Sequence, residues 1–384
     1  MNVIDFIGNF PKRLFVWPIL KCLYFGKILE KPLASAALLF TITVFFAFPS
    51  YDVVLLIKEP TMISTWEAIF AQGEDPLNFN ANEYPMGSHE EKLTFRFVPA
   101  VILNLLGIDS IVVALVFQLI SLLLFYILLF DFFRIQIRDR SKAFLFCLAI
   151  SLTVSGHVYA SDYRGTFDTL ALTFLLLAVR IRSSYWVIIP LILAYYTDER
   201  ALIASSGLFV LNLWLKKDLK LISGFKHQEN VLLISSWVLY FIIRLILQSK
   251  GLQTGVGGVN LFLHQIDKTC YTIFIGMEGI ILFFLMSIAY LYRQKKYAFS
   301  ALFVGGYLLI FVVSQSVFDI NRSMSYGLII QIITILIINK YSTRDILEKT
   351  LGWVILICLA YDDFYPFIAQ IFRMIFITET VRLW

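Results

Sequence analysis

The stretch from Ser110 to Phe133, SIVVALVFQLISLLLFYILLFDFF, carries one charge, Asp131, in 24 residues. At 1.5 Å of rise per residue such a helix crosses the roughly 30 Å hydrocarbon core of a bilayer. Similar apolar runs recur at about 34–49, 143–160, 169–181, 185–196, 201–215, 230–248, 271–292, 297–317, 324–339 and 350–361. The chain is therefore expected to be an all-α polytopic membrane protein of about eleven transmembrane helices. Several runs fall short of the roughly 20 residues of a perpendicular span, so their ends must extend into polar neighbours or lie against protein. Two weaker apolar helices, 94–107 and 364–378, are expected to lie on the membrane or re-enter it.

Composition points the same way. Of the 384 residues, 59% are hydrophobic and 15% charged, where soluble domains have about 45–50% and about 25%. Cys22, Cys147, Cys270 and Cys358 stand singly in apolar segments, which argues against a disulfide framework or a thiolate metal site. Residues 1–33 mix Lys12, Arg13, Lys21, Lys27 and Lys31 with Phe6, Phe10, Phe15, Trp17, Leu23, Tyr24 and Phe25. That is the pattern of an interfacial amphipathic helix rather than a cleaved signal or transit peptide. Residues 34–384 would then be the transmembrane domain, with an outer loop at 50–109.

Basic residues orient the chain. With a cytoplasmic N-terminus, 21 of the 32 lysines and arginines but only eight of the 27 acids fall on inner segments, about +13 of charge inside and −8 outside. The positive-inside rule favours this topology throughout. The net +5 is thus a lipid-facing basic collar, not a nucleic-acid face.

In this orientation every cluster with chemical potential lies outside. These are Asp52, the stretch Glu83 to Arg96, Asp162-Tyr163-Arg164 through Asp168, Asp198-Glu199-Arg200, Asp319-Ile320-Asn321-Arg322, and Asp362-Asp363. Ionisable groups cost several kcal/mol in hydrocarbon, so acids and arginines at successive helix ends are expected to converge on a wet cavity opening outward. The alternative is that Arg164, Arg200 and Arg322 only neutralise carboxylates and cap helices.

The 50–109 loop carries an amphipathic stretch at Met62 to Phe70, a turn-rich segment and His89-Glu90-Glu91-Lys92. Two surface helices suit it, and a loop of this length and aromatic content is expected to be functional. His89 beside Glu90 could suggest zinc. Four scattered histidines without a His-x-x-x-His pair argue against it. Glu278, within the apolar run Ile273 to Leu291, is either a cavity-lining group or a partner for Arg244 or Lys268. Glycines 207, 276, 279, 305 and 306 are expected at close helix contacts.

A first span ending in Phe48-Pro49-Ser50-Tyr51-Asp52, a long first outer loop with surface helices, and a second outer loop with Asp162-Tyr163-Arg164 together resemble the GT-C superfamily of integral-membrane glycosyltransferases. The likeness is one of topology and covers about residues 34–215. It implies a GT-C-like helical bundle that transfers a sugar from a polyprenyl-phosphate-linked donor to a glycan or lipid acceptor at the outer face of a bacterial inner membrane. The family's first-loop base carries onto Asp52 and its second-loop acid onto Asp162, although Asp52 stands alone where many members pair two acids.

The chemistry needs a carboxylate to accept the acceptor's hydroxyl proton, cations for the departing phosphate, and lateral access for a prenyl tail. Asp52 and Asp162 are the catalytic candidates. His89, Glu90, Arg164, Asp168, Asp198, Glu199, Arg200, Asp319 and Arg322 are the substrate-binding candidates, arginine suiting phosphate through its planar fork. No cofactor is required, although Asp52, Asp162 and Asp168 could hold a divalent cation. The competing functions are a transporter or flippase of a lipid-linked saccharide, and a polysaccharide polymerase or ligase. The absence of evident internal repeats or broken spans in the sequence weighs against transport.

Overall fold

The computed structural model describes residues 9–26, 31–47, 60–79, 84, 90–157, 165–217, 219, 221–252, 261–317 and 319–376, and they are helical with no strand among them. A π-helical turn, Lys12–Val16, leads into α1 (Trp17–Gly26), followed by α2 (Pro32–Ala47). The segment between α2 and the next long helix holds α3 (Pro60–Glu74) and α4 (Phe97–Leu105). Then come α5 (Ile111–Ile137), α6 (Arg140–Ser151), a one-turn helix Val154–His157, α7 (Asp168–Arg180), α8 (Ile188–Thr197), α9 (Arg200–Ala204) and α10 (Ser206–Lys216). The remainder is α11 (Gln228–Ser249), α12 (Thr269–Ile275), α13 (Ile281–Arg293), α14 (Tyr297–Gln315), α15 (Ile320–Ser325), α16 (Leu328–Tyr341) and α17 (Arg344–Phe376).

Among the described residues three helices, α5, α11 and α14, are long and apolar enough to cross a membrane, and a fourth crossing exists if the bent pair Ile266–Ile275 and Glu278–Arg293 counts as one. Shorter apolar helices cover 32–44, 185–197 and 328–341. The central one, α16, is buried on every side from Leu328 to Ile338. Isoleucine-rich LIIQIITILII has modest helix propensity in water. Away from water only a helix satisfies its backbone internally, and a helix apolar all round belongs in the interior. Around α16 pack α13, α10 and α14 on one side and α5 and α6 on the other, while α2, α5, α7, α8 and α11 follow one another as a second row.

Two features differ from the sequence reading. Residues 364–376 are not a separate surface helix but continue α17, so Asp362 and Asp363 lie within it. The run 271–292 is not one straight span: it bends by 84° between Ile275 and Glu278. Glu278 there has φ +43° and is fully buried, its carboxylate accepting a hydrogen bond from the Val154 amide at 2.7 Å. The carbonyls freed by the break find donors, Gln331 giving its amide to Gly276 at 3.1 Å and Tyr307 its hydroxyl to Ile273 at 2.5 Å. A broken helix is tolerated at such depth where neighbouring protein re-satisfies its backbone. Arg244 is not the partner of Glu278, since it pairs with Glu199.

The N-terminal helical segment packs on α17, where Lys12, 8% exposed, reaches Asp345 and Glu348 at 3.0 Å each. At Gly279 an added Cβ would meet the Val354 backbone carbonyl of α17 and the Cys358 sulfur, whereas Gly305 has open space around it. Gly279→Ala is therefore expected to lose about 1–3 kcal/mol of stability, as overpacking against backbone does. Gly305→Ala should lose none, and thermal unfolding in detergent separates the two. Gly305 is thus not one of the close contacts that the sequence suggested.

Candidate functional site

Asp168 and Asp198 are 1% and 0% exposed, and burying two carboxylates is costly unless each is ion-paired and hydrogen-bonded. Local sequence places them. Gly165, at φ +70°, and Phe167, at φ +53°, turn the chain so that Asp168 opens α7, where the helix dipole favours an anion. Asp198 sits in an extended kink between α8 and α9, and its carboxylate accepts the Arg200 amide at 2.9 Å and the Arg200 Nε at 2.8 Å. The Thr197-Asp198-Glu199-Arg200 turn thereby points Asp198 and Arg200 inward together and sends Glu199 the other way, to Arg244 at 3.1 Å.

Arg200 joins the two acids, its Nη2 lying 2.7 Å from Asp198 Oδ2 and 3.1 Å from Asp168 Oδ1. From α15, Arg322 Nε donates to Asp168 Oδ2 at 2.6 Å and the Tyr326 hydroxyl to Asp168 Oδ1 at 2.8 Å. Ser323 accepts from Arg200 Nη1 at 3.1 Å, and the Arg200 guanidinium lies 5.2 Å from the Tyr326 ring centre. Asp319 caps α15 and holds Arg322 Nη1 at 3.2 Å from the solvent side. The segment before α4 adds Arg96, with Nη1 3.2 Å from Asp198 Oδ2. Its neighbour Phe95 is stacked under Arg244 at 4.3 Å.

Three guanidiniums thus face two buried carboxylates, with Asp319 at the exposed edge. Burial alone would raise the pKa of Asp198, but Arg200, Arg96 and Arg322 outweigh it and hold the carboxyl well below the usual carboxylate range. Burial would likewise lower Arg200, and the two aspartates instead push it well above its ordinary value.

Beside Arg96 lies a cleft of about 270 Å³, counting the space at its mouth, walled by Ile69 and Gln72 of α3, Pro99 and Ala100 of α4, and Thr166 and Thr197. α3 and α4 cover it: Trp66 of α3 meets the Phe167 ring edge-on at 5.9 Å, and at Gly165 a Cβ would press on the tip of the Ile69 side chain. Asp168 does not suit a divalent cation in this arrangement, because its two oxygens already accept from Arg200, Arg322, Tyr326 and Thr166. Among the described residues no group of three metal-ligating side chains occurs.

Of the residues selected from sequence, Asp168, Asp198, Arg200, Asp319 and Arg322 come together. Glu199 stands at the margin with Arg244. Glu90 accepts from Ser64 at 3.1 Å and Thr65 at 2.7 Å, under α3 rather than within the arginine cluster. Asp52, His89, Asp162 and Arg164 lie outside the described residues. Three members were not selected from sequence as site residues: Arg96, Arg244 and Tyr326. Arg244 had a signal, a lone charge in an apolar helix with Tyr240 four residues earlier. Tyr326 is four residues beyond Arg322, on the same face of a helical turn.

No protein-family model matches the chain, and neither a characterised protein nor a solved structure shows significant similarity to it. The side of the membrane on which the cluster lies is directly measurable. In a Cys270→Ser background, cysteines replacing Glu74 and Asp319 are expected to react with an impermeant maleimide from outside the cell. Those replacing Arg140 and Lys226 should react only after the membrane is opened. Labelling of position 319 solely from the cytoplasm would invert the topology.

Proposed function

We propose that the protein is a membrane glycosyltransferase of GT-C type, moving a sugar from a polyprenyl-phosphate-linked donor to a glycan or lipid acceptor at the outer face of a bacterial inner membrane. The observation that carries this is the convergence of Arg96, Arg200 and Arg322 on two buried carboxylates beside a cleft covered by the first outer loop. The short apolar helices would complete an eleven-span bundle by crossing within protein, where length is less constrained.

The cluster's charge suits the substrate. A donor phosphodiester carries one negative charge, matching the excess of three buried-side guanidiniums over Asp168 and Asp198. When the sugar leaves, the prenyl phosphate becomes more negative, so arginine contacts strengthen along the reaction, which is what accelerates a chemical step. Asp319, more exposed than the inner acids, is the carboxylate an incoming phosphate would displace from Arg322. Asp168 and Asp198 orient the arginines, and Asp52 takes the acceptor proton.

A second reading, flipping of a lipid-linked saccharide, draws on the broken span at Ile275 to Glu278 and its buried carboxylate, a feature common in transporters. Reconstitution of the purified chain in vesicles with radiolabelled prenyl-phosphate sugars distinguishes the two. Transfer to an added acceptor supports the enzyme; movement of the intact donor across the bilayer without transfer supports the flippase.

A further inference from the structure

At the opposite end of α7, about 20 Å from Asp168 by the length of a 13-residue helix, a second cavity of about 240 Å³, most of it open space at its mouth, lies where α7, α8, α10 and α11 meet. The walls are mainly apolar, with Val187, Leu191 and Leu233 among them, and the polar groups are Arg182, Asn212 and Glu229.

Arg182 is the unusual member. Its one hydrogen bond is a long donation to the Val179 carbonyl, 3.4 Å, and among the described residues it has no ion-pair partner within 4 Å. The neighbouring acids are already engaged. Glu229 accepts from Lys216 at 2.8 Å and Ser183 at 3.0 Å, while Asp131 is shared between Arg134 at 2.6 Å and Arg180 at 3.0 Å. Among the described residues, four cations therefore face two carboxylates here. Burial lowers the pKa of Arg182, Glu229 raises it and Arg180 lowers it further. Next to the cavity, Tyr185 and Trp186 are 74% and 70% exposed, as aromatic residues are at a membrane–water boundary.

We propose that this cavity seats the phosphate of an anionic glycerophospholipid from the leaflet opposite the active site, with Arg182 as the anchoring cation. An apolar-walled pocket at the membrane boundary, with uncompensated positive charge, fits a lipid phosphate with the acyl chains lying along the outer surface of α8 and α11. A free phosphate would leave the apolar walls without purpose.

Native mass spectrometry of the full chain in detergent, titrated with phosphatidylglycerol, tests this. The expected result is one phosphatidylglycerol retained at least about tenfold more tightly than phosphatidylcholine, and a loss of at least about tenfold in Arg182→Gln, the scale of a charge-assisted hydrogen bond. Arg182→Lys should keep most of the affinity. Leu233→Trp, which fills the cavity and leaves the charge, should lose it, so the test survives a poorly folding glutamine variant. Equal retention of both lipids, wild-type binding by Arg182→Gln or Leu233→Trp, or displacement of the lipid by millimolar inorganic phosphate would each overturn the assignment.

Discussion

Replacing Asp198 by alanine is expected to cost about 3–5 kcal/mol of stability, the penalty for stranding a buried charge. Three guanidiniums touch or approach this one carboxylate: Arg200 at 2.7 Å, Arg96 at 3.2 Å and Arg322 at 3.9 Å. Without it they repel one another, and only Asp168 remains inside to oppose them. Asp319→Ala should cost under about 1 kcal/mol, because its carboxylate is 45% exposed and water replaces the contact. Chemical unfolding in detergent measures both, and equal losses would remove Asp198 from the centre of the cluster. Coupling gives a second check. Arg96→Met combined with Asp198→Ala should lose less than the separate effects predict, since the double variant removes one of the repelling charges.

The pH dependence follows from the same contacts. Asp198 has its folded pKa depressed far below its unfolded value near 4, so its pairing stabilises the fold fully above that value and less as pH falls toward the folded one. Between pH 5 and 8 it stays ionised in both states and contributes no slope. An acid limb of activity within that window must therefore come from another group, and neither Asp198 nor its arginines is the titrating partner.

Much of the architecture could be read from apolar runs because the hydrocarbon imposes one solution, a helix, on any such segment. Where α16 is concerned, the run 324–339 predicts the helix Leu328–Tyr341 closely. Length was less legible. The 169–181 run gives a 13-residue α7 and the 201–215 run is split by Ser205 between α9 and α10, since a helix sheathed by other helices takes its ends from polar partners. The break before Glu278 had no Pro to announce it. It depends on Gln331, Tyr307 and the Val154 amide, which are distant in sequence.

The site divides similarly. Acids and arginines at helix ends were visible, and Asp168, Asp198, Arg200 and Arg322 meet because each would otherwise face lipid. Which acid pairs with which arginine was not visible. Glu199, adjacent to both Asp198 and Arg200, turns away because its backbone has already entered the helical region, φ −60° and ψ −24°, while Asp198 before it is extended. Arg96 enters from a loop whose path over α7 is set by packing of Trp66 against Phe167 and Gly165, contacts that no spacing rule encodes.

Asp52→Asn is expected to lower transfer by at least about a hundredfold, the smaller end of what a general base contributes. The site itself narrows the choice of base. Asp168 and Asp198 are held as anchors, their oxygens already accepting hydrogen bonds from Arg200, Arg322 and Tyr326, and the lowered pKa of Asp198 makes it a poor proton acceptor. Glu199 is committed to Arg244, and Glu90 to Ser64 and Thr65. Asp52 lies outside the described residues; its position in the sequence just beyond the first predicted span leads to the expectation that the bilayer edge and the loop partly desolvate it, which would raise its basicity. Asparagine preserves the shape and a hydrogen bond but cannot take the proton, so donor binding and folding should persist while turnover falls. A fall in kcat with donor affinity unchanged supports this role. Retained transfer would move the base to Asp162 or Glu90, and lost donor binding in a folded protein would make Asp52 a phosphate-side or sugar-binding residue instead.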